Sequence, residues 1–281
     1  MRDDSPASRT ALMVAGYRAR ATARDNPVCT DPWASDLAGE LGLQLAENFD
    51  KSFAHMELWI ALRVRYLDDQ VAAFCDSGVR QIVMLGAGLD TRAARLARDG
   101  VRFFEVDHPS TQQHKRAEIA KLAGYPVDAA TFVSCDFENQ DFLDQLTGAG
   151  FDPSAPAVIV WEGVVPYLTE PAIRATATRI ADGCHDRTML FFDFVGKRLL
   201  QGSARNKDKE TLDYVDDLGE PLHFGTNDIL PLLYECGFGY VRSLSFDEIG
   251  LAYTGTYARE REFRFQSMAV ASKTVPADLW P

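Results

Sequence analysis

At 281 residues, with 46% hydrophobic and 25% charged residues, the chain has the composition of a folded globular protein; its 20 Gly and 13 Pro exclude a collagen-like one. Its 29 Lys and Arg against 41 Asp and Glu give a formal net charge of −12, which argues against binding nucleic acid through the general surface. No apolar run approaches the roughly 18 residues of a membrane span, and the polar start at residues 1–10 does not read as a secretory signal. The five scattered cysteines contain no CxxC pair, so neither a disulfide framework nor a metal site is expected, and the expected location is the reducing cytoplasm.

Taken in chain order, residues 1–78 read as helical. Ser8 or Thr10 caps a helix carrying Leu12, Met13, Val14 and Tyr17, which the Asn26-Pro27 step ends. Asp31-Pro32 opens a second helix through Leu37, Leu41 and Leu45. From Phe53 to Phe74, Met56, Ile60, Val64, Leu67 and Val71 recur at helical spacing. The texture then changes to alternating strands and helices. Strands are expected over 81–85, 101–107, 131–134, 157–161 and 188–194. Helices are expected through Ala93, Leu96 and Ala97, from Pro109 to Leu122, and from Pro171 to Ala181. A helix near 227–236 precedes two further strands, 240–245 and 261–271, which read as closing a sheet edge. The pattern predicts one α/β domain over 1–281, a helical addition over 1–78 and a core over 79–281.

The most informative stretch is Ile82-Val83-Met84-Leu85-Gly86-Ala87-Gly88-Leu89-Asp90-Thr91-Arg92, a strand running into Gly-x-Gly and then a helix. Gly86 permits a turn that a side chain would block, and Gly88 lets the backbone approach a ligand. About 20 residues on, Glu105 and Asp107 end the second strand, where a carboxylate accepts hydrogen bonds from ribose hydroxyls. A dinucleotide site wants a third glycine; here Thr91 stands in its place, and the preceding Asp90 repels a pyrophosphate. S-adenosyl-L-methionine carries a sulfonium and an ammonium instead, and tolerates an acidic rim. After the third strand, Asp136 can meet an adenine amino group and Phe137 can flank the ring. After the fourth come Glu162 and Tyr167, and Arg63 on the long helix can pair with a methionine carboxylate.

Together these segments resemble the leucine carboxyl methyltransferase-like family of class I S-adenosyl-L-methionine-dependent methyltransferases, which includes polyketide-pathway O-methyltransferases. The likeness rests on Thr10-Ala11-Leu12-Met13-Val14-Ala15, Asp31-Pro32-Trp33-Ala34, Leu85 through Arg92, Phe104-Glu105-Val106-Asp107-His108-Pro109, Trp161-Glu162-Gly163 through Tyr167-Leu168, and Gly219-Glu220-Pro221. It implies a Rossmann-like class I methyltransferase sheet, mostly parallel with an antiparallel C-terminal strand, under a helical N-terminal lid. It also implies that Arg63, Gly86 and Gly88 hold the methionine end of S-adenosyl-L-methionine, Asp107 the ribose, and Asp136 with Phe137 the adenine. Glu162 would lie beside the methionyl amine or sulfonium, and Arg18 is a second candidate for the carboxylate. His108 departs from the Leu or Phe usual there, and the region after Asp193 is short, with a substrate-shaping insertion at about 195–225.

The implied reaction is in-line methyl transfer to the oxygen of a small-molecule carboxylate or hydroxyl in secondary metabolism, with no nucleic-acid or membrane partner. A carboxylate acceptor needs no general base; a phenol or alcohol does. Glu162 and Tyr167 are the candidates at the reacting centre, while His55, His108, His114 and His223 read as solvated or core residues. The competing expectations are a methyltransferase-like protein that binds a nucleoside without turnover and a nicotinamide-dependent oxidoreductase.

Overall fold

In a computed structural model, residues 8–53, 55–137, 139–200, 206–256 and 265–275 are described, without the side chains of 206–209 and 211. Seven strands form one sheet: β1 (Gln81–Leu85), β2 (Arg102–Asp107), β3 (Ala130–Ser134), β4 (Val158–Trp161), β5 (Met189–Val195), β6 (Tyr240–Ser245) and β7 (Gln266–Ser272), in the order β3-β2-β1-β4-β5-β7-β6. The first five strands pair in parallel, and β7 runs antiparallel to both β5 and β6. This is the mostly parallel sheet with an antiparallel C-terminal strand that the sequence predicts. β1, β4 and β5 are buried along their whole length, as their unbroken apolar runs require.

Side chains alternate between the two faces of the sheet. Ile82, Met84, Phe103, Val158, Val160 and Phe191 share one face with the helices α1 (Arg9–Thr22), α2 (Ala34–Phe49) and α3 (Met56–Asp76). Val83, Phe104, Val106, Ile159 and Phe192 face α6 (Phe142–Gly148), α7 (Glu170–Gly183) and α10 (Leu230–Glu235) on the other. Ser8, rather than Thr10, caps α1 by accepting the Ala11 amide at 3.1 Å. The α1–α2 crossing is very close. A Cβ on Gly16 would fall 2.5 Å from the Gly42 carbonyl oxygen, and one on Gly42 equally close to that of Leu12.

The helix expected through Ala97 stops early, as α4 (Arg92–Arg95). The helix after β2, α5 (Pro109–Ile119), keeps Pro109 in its first turn. Two further helices, α8 (Lys197–Leu200) and α9 (Asn206–Asp217), lie in the expected insertion, and α11 (Phe246–Thr254) joins β6 to β7. The last strand begins at Gln266; residues 261–264 of the expected strand lie outside the described residues. All five cysteines are buried, and no helix among the described residues is long and apolar enough to cross a membrane.

Candidate active site

The parallel strands bring the Gly86–Gly88 loop, Asp107, Asp136, Glu162 and Asp193 to the carboxyl end of the sheet, where open α/β folds bind ligands. The loop turns because Gly86 and Gly88 adopt φ +68° and +49°, a region that side chains rarely enter. A Cβ on Gly86 would sit 2.6 Å from Cγ2 of Val164, so the position is closed sterically as well. The Gly86 amide donates to the Val106 carbonyl at 2.8 Å, fastening the turn to β2.

Asp107 faces this loop. Its Oδ2 accepts the Gly88 amide at 2.6 Å and its Oδ1 the His108 amide at 2.7 Å. Burial raises its pKa, and the two amides only partly offset that. Glu105, two residues earlier on the same face of β2, does not join it. It accepts Lys115 Nζ at 2.5 Å beneath α5, and Lys115 also donates to the Asp90 carbonyl. Burial lifts the Glu105 carboxyl to about 7 against the pull of Lys115, and its Oε1 has no hydrogen-bond partner among the described residues.

A buried lattice of charge occupies the tips of β4 and β5. Arg63 donates through Nε to Glu162 Oε1 at 2.8 Å and through Nη1 to Asp193 Oδ2 at 2.7 Å. Asp193 Oδ1 takes the Gly163 amide at 2.6 Å. Arg92 reaches three carboxylates: Asp68 at 2.8 Å, Asp90 at 2.5 Å and Glu162 Oε2 at 2.8 Å. Arg95 completes the lattice on Asp68. Burial acts to raise the pKa of Asp90 and Glu162, but the guanidiniums win and both are shifted down. Arg92 and Arg95 act on Asp90, and Arg63 and Arg92 on Glu162.

Arg18 donates through Nε to Asp31 at 2.8 Å and through Nη2 to the Leu89 carbonyl at 2.7 Å, while Thr91 Oγ1 shares Asp31. It therefore ties α1 to the glycine loop. Beyond β3, Asp136 Oδ2 accepts Asn139 Nδ2 at 2.7 Å, and Phe137 is 45% exposed. Tyr167 ends a 3-10 turn (Val165–Tyr167). Burial and then the carboxylates of Glu220 and Asp193 push its hydroxyl pKa up, so it is a neutral donor. The buried Thr10 hydroxyl lies beside it and opposes part of that rise. The Pro166 carbonyl accepts the His223 and Phe224 amides at 2.8 and 3.0 Å, which pins the Gly219-Glu220-Pro221 segment beside that turn.

Asp193, Arg92 and Asp68 escape the sequence reading, in which Asp193 is only one residue of the strand expected over 188–194. A carboxylate inside a wholly apolar central strand was the available signal.

The chain belongs to the leucine carboxyl methyltransferase family, whose family model matches residues 11–181. It is 35% identical over 186 residues to a protein of Mycolicibacterium gilvum named "Putative S-adenosyl-L-methionine-dependent methyltransferase", covering 60% of each chain. It is 31% identical over 226 residues to a protein of the same name from Mycolicibacterium paratuberculosis, covering 74% of this chain and 70% of that one. It thus spans about 60% of the length of the M. gilvum relative. Among solved structures, a DUF574 family protein from Streptomyces avermitilis superposes with a TM-score of 0.66 at 14% identity, over 96% of this chain and 99% of that one. The sheet is the Rossmann-like class I methyltransferase fold.

Proposed function

We propose that the chain is an S-adenosyl-L-methionine-dependent methyltransferase that O-methylates a small-molecule carboxylate or hydroxyl, in a cytoplasmic step of secondary metabolism. The observation that carries this reading is the charge balance at the tips of β4 and β5. Asp68, Asp90, Glu162 and Asp193 stand against Arg63, Arg92 and Arg95, with Asp107 beside the glycine loop. A ligand bearing a sulfonium and an ammonium relieves that excess of carboxylate, and a pyrophosphate adds to it. A dinucleotide also needs the amides at the start of the helix after the loop, where Asp90 Oδ1 already takes the Arg92 amide at 2.7 Å. This favours the methyl donor over a nicotinamide cofactor.

When bound, S-adenosyl-L-methionine supplies a methyl group already activated on sulfur, so the chain has to bind, align and exclude water. Asp107, held by two amides, keeps acceptor capacity for the ribose hydroxyls, while Asp136 and Phe137 hold the adenine. Gly86 and Gly88 let backbone approach the methionyl end, whose carboxylate goes to Arg63 and whose ammonium goes to Glu162. Arg18 acts on that end through the Leu89 carbonyl and Asp31. Tyr167, a neutral donor beside Thr10, orients the acceptor oxygen. Residues 1–78 form a lid, and the segment at about 195–225 shapes the acceptor entrance of a single domain.

Calorimetric titration with S-adenosyl-L-methionine, S-adenosylhomocysteine and NAD tests the reading. Binding of both adenosyl compounds and no response to NAD is expected; the reverse result overturns it. Formation of S-adenosylhomocysteine over a panel of carboxylic acids and phenols then separates an enzyme from a binding protein without turnover.

A further inference from the structure

We propose that Arg92 is a positioning residue for the amino-acid end of the methyl donor, acting through Glu162; the proposal rests on the methyltransferase reading above. Arg92 is completely buried, and its three carboxylate partners come from three places: Asp68 on α3, Asp90 on the glycine loop and Glu162 at the end of β4. Asp68 and Asp90 together neutralise a guanidinium. The third bond, from Nη2 to Glu162 Oε2 at 2.8 Å, reaches out of that pair into the site. It divides the labour at Glu162, because Oε1 belongs to Arg63 and Oε2 to Arg92.

Arg63 has a second carboxylate, Asp193, and so is not bound to Glu162 alone. If Arg63 releases Glu162 for a ligand carboxylate and keeps Asp193 through Nη1, Glu162 keeps Arg92. Its Oε2 stays anchored and its Oε1 comes free for a ligand ammonium. The exchange leaves no buried carboxylate without a cation, which is the condition under which such a site stays ionised. The charged groups facing Glu162 are Arg63 and Asp68 from α3, Arg92 from α4, Asp90 from the glycine loop and Asp193 from β5. Without Arg92, three neighbouring carboxylates and burial act on Glu162 with one cation to oppose them. It then takes up a proton as the pH falls and ceases to attract an ammonium. A lysine cannot replace Arg92, since one ammonium does not reach three carboxylates in a fork geometry.

The test is calorimetric binding of S-adenosyl-L-methionine and S-adenosylhomocysteine, from about pH 5 to about pH 8, to the wild type, Arg92→Gln, Arg92→Lys, Glu162→Gln and the Arg92→Gln/Glu162→Gln pair. The wild type is expected to bind with little pH dependence. Arg92→Gln and Arg92→Lys are expected to bind about ten- to a hundred-fold more weakly at neutral pH, and more weakly still toward acid. In the Glu162→Gln background, Arg92→Gln should change affinity by no more than about two-fold, since the residue it acts through is already neutral. Should Arg92→Gln fail to fold, Arg92→Lys, which keeps the charge, carries the same two readouts. Wild-type affinity and pH profile in Arg92→Lys, or full additivity in the double variant, overturns the proposal. A wild type that binds neither adenosyl compound overturns the underlying reading instead.

Discussion

The two ends of the candidate site bury carboxylates to a similar degree and treat them in opposite ways. At the tips of β4 and β5, Glu162 and Asp90 are held ionised by Arg63, Arg92 and Arg95, and most ion pairs in that lattice join side chains from distant parts of the chain. At the tips of β2 and β3, Asp107 is held by backbone amides and its pKa is raised, while Glu105 beneath it rises to about 7. Burial is the first force on all four groups; the arginines decide the sign. On the proposed reading, the β4–β5 end has to exchange ion pairs to admit a charged ligand, whereas the β2–β3 end already presents an amide-held carboxylate.

The contrast is broken most severely at Arg63. Arg63→Met leaves Glu162 without one of its two cations and Asp193 without its guanidinium. Loss of one partner from a buried pair costs about 3–5 kcal/mol. The urea midpoint should fall accordingly, and binding of S-adenosyl-L-methionine should be lost. An unchanged midpoint would mean that the lattice contributes nothing to the fold.

Glu105 sharpens the comparison through pH. Its pKa in the folded chain, about 7, lies above the ordinary 4.5. The folded state therefore binds the extra proton between those values, and this group's contribution declines as the pH rises through them, by up to about 3 kcal/mol. Asp90 and Glu162, shifted down, act the other way: their contribution is present above the ordinary carboxyl range and is lost in acid. The deficit of Glu105→Gln, whose amide does not titrate, relative to the wild type should therefore shrink from about pH 5 to about pH 8. Urea midpoints at the two pH values measure it. A deficit that widens assigns the wrong direction to Glu105.

At the amide-held end, Asp107→Ala should leave the fold nearly intact and weaken S-adenosylhomocysteine binding by about 1.5–3 kcal/mol for each charge-assisted hydrogen bond lost. Wild-type affinity by calorimetry would remove the ribose from Asp107.

What the sequence reveals and conceals divides along the same line. Strand runs such as Ile82–Leu85, the positive-φ turn at Gly86 and Gly88, and a carboxylate at the end of β2 are local patterns, and local physics dictates them. The pairing of Arg63 with Asp193, 130 positions away, is tertiary, and no spacing rule reaches it. Both Glu105 and Asp107 look like ribose ligands in sequence, and only Lys115 arriving from α5 separates them. Other omissions had signals that went unread. Ser245 and Glu248 form a capping box that announces α11, and Asp141 caps α6 through the amides of Leu143 and Asp144. The early end of α4 is tertiary again, since the side chains of Arg92 and Arg95 turn inward to Asp68.

The smallest expected effect is at Phe137, and it separates ligand binding from folding most cleanly. The ring is 45% exposed at the end of β3 and contributes little to either core cluster, so Phe137→Ala should leave the urea midpoint within about 0.5 kcal/mol of the wild type. If the ring flanks the adenine, truncation removes an aromatic contact worth about 0.5–1.5 kcal/mol, a two- to ten-fold loss in affinity for S-adenosylhomocysteine. Phe137→Leu should recover part of that loss through apolar area alone, whereas Phe137→Trp should recover all of it through the ring. Equal affinities across the three variants would place the base elsewhere, leaving the β2–β3 end with the ribose contact only.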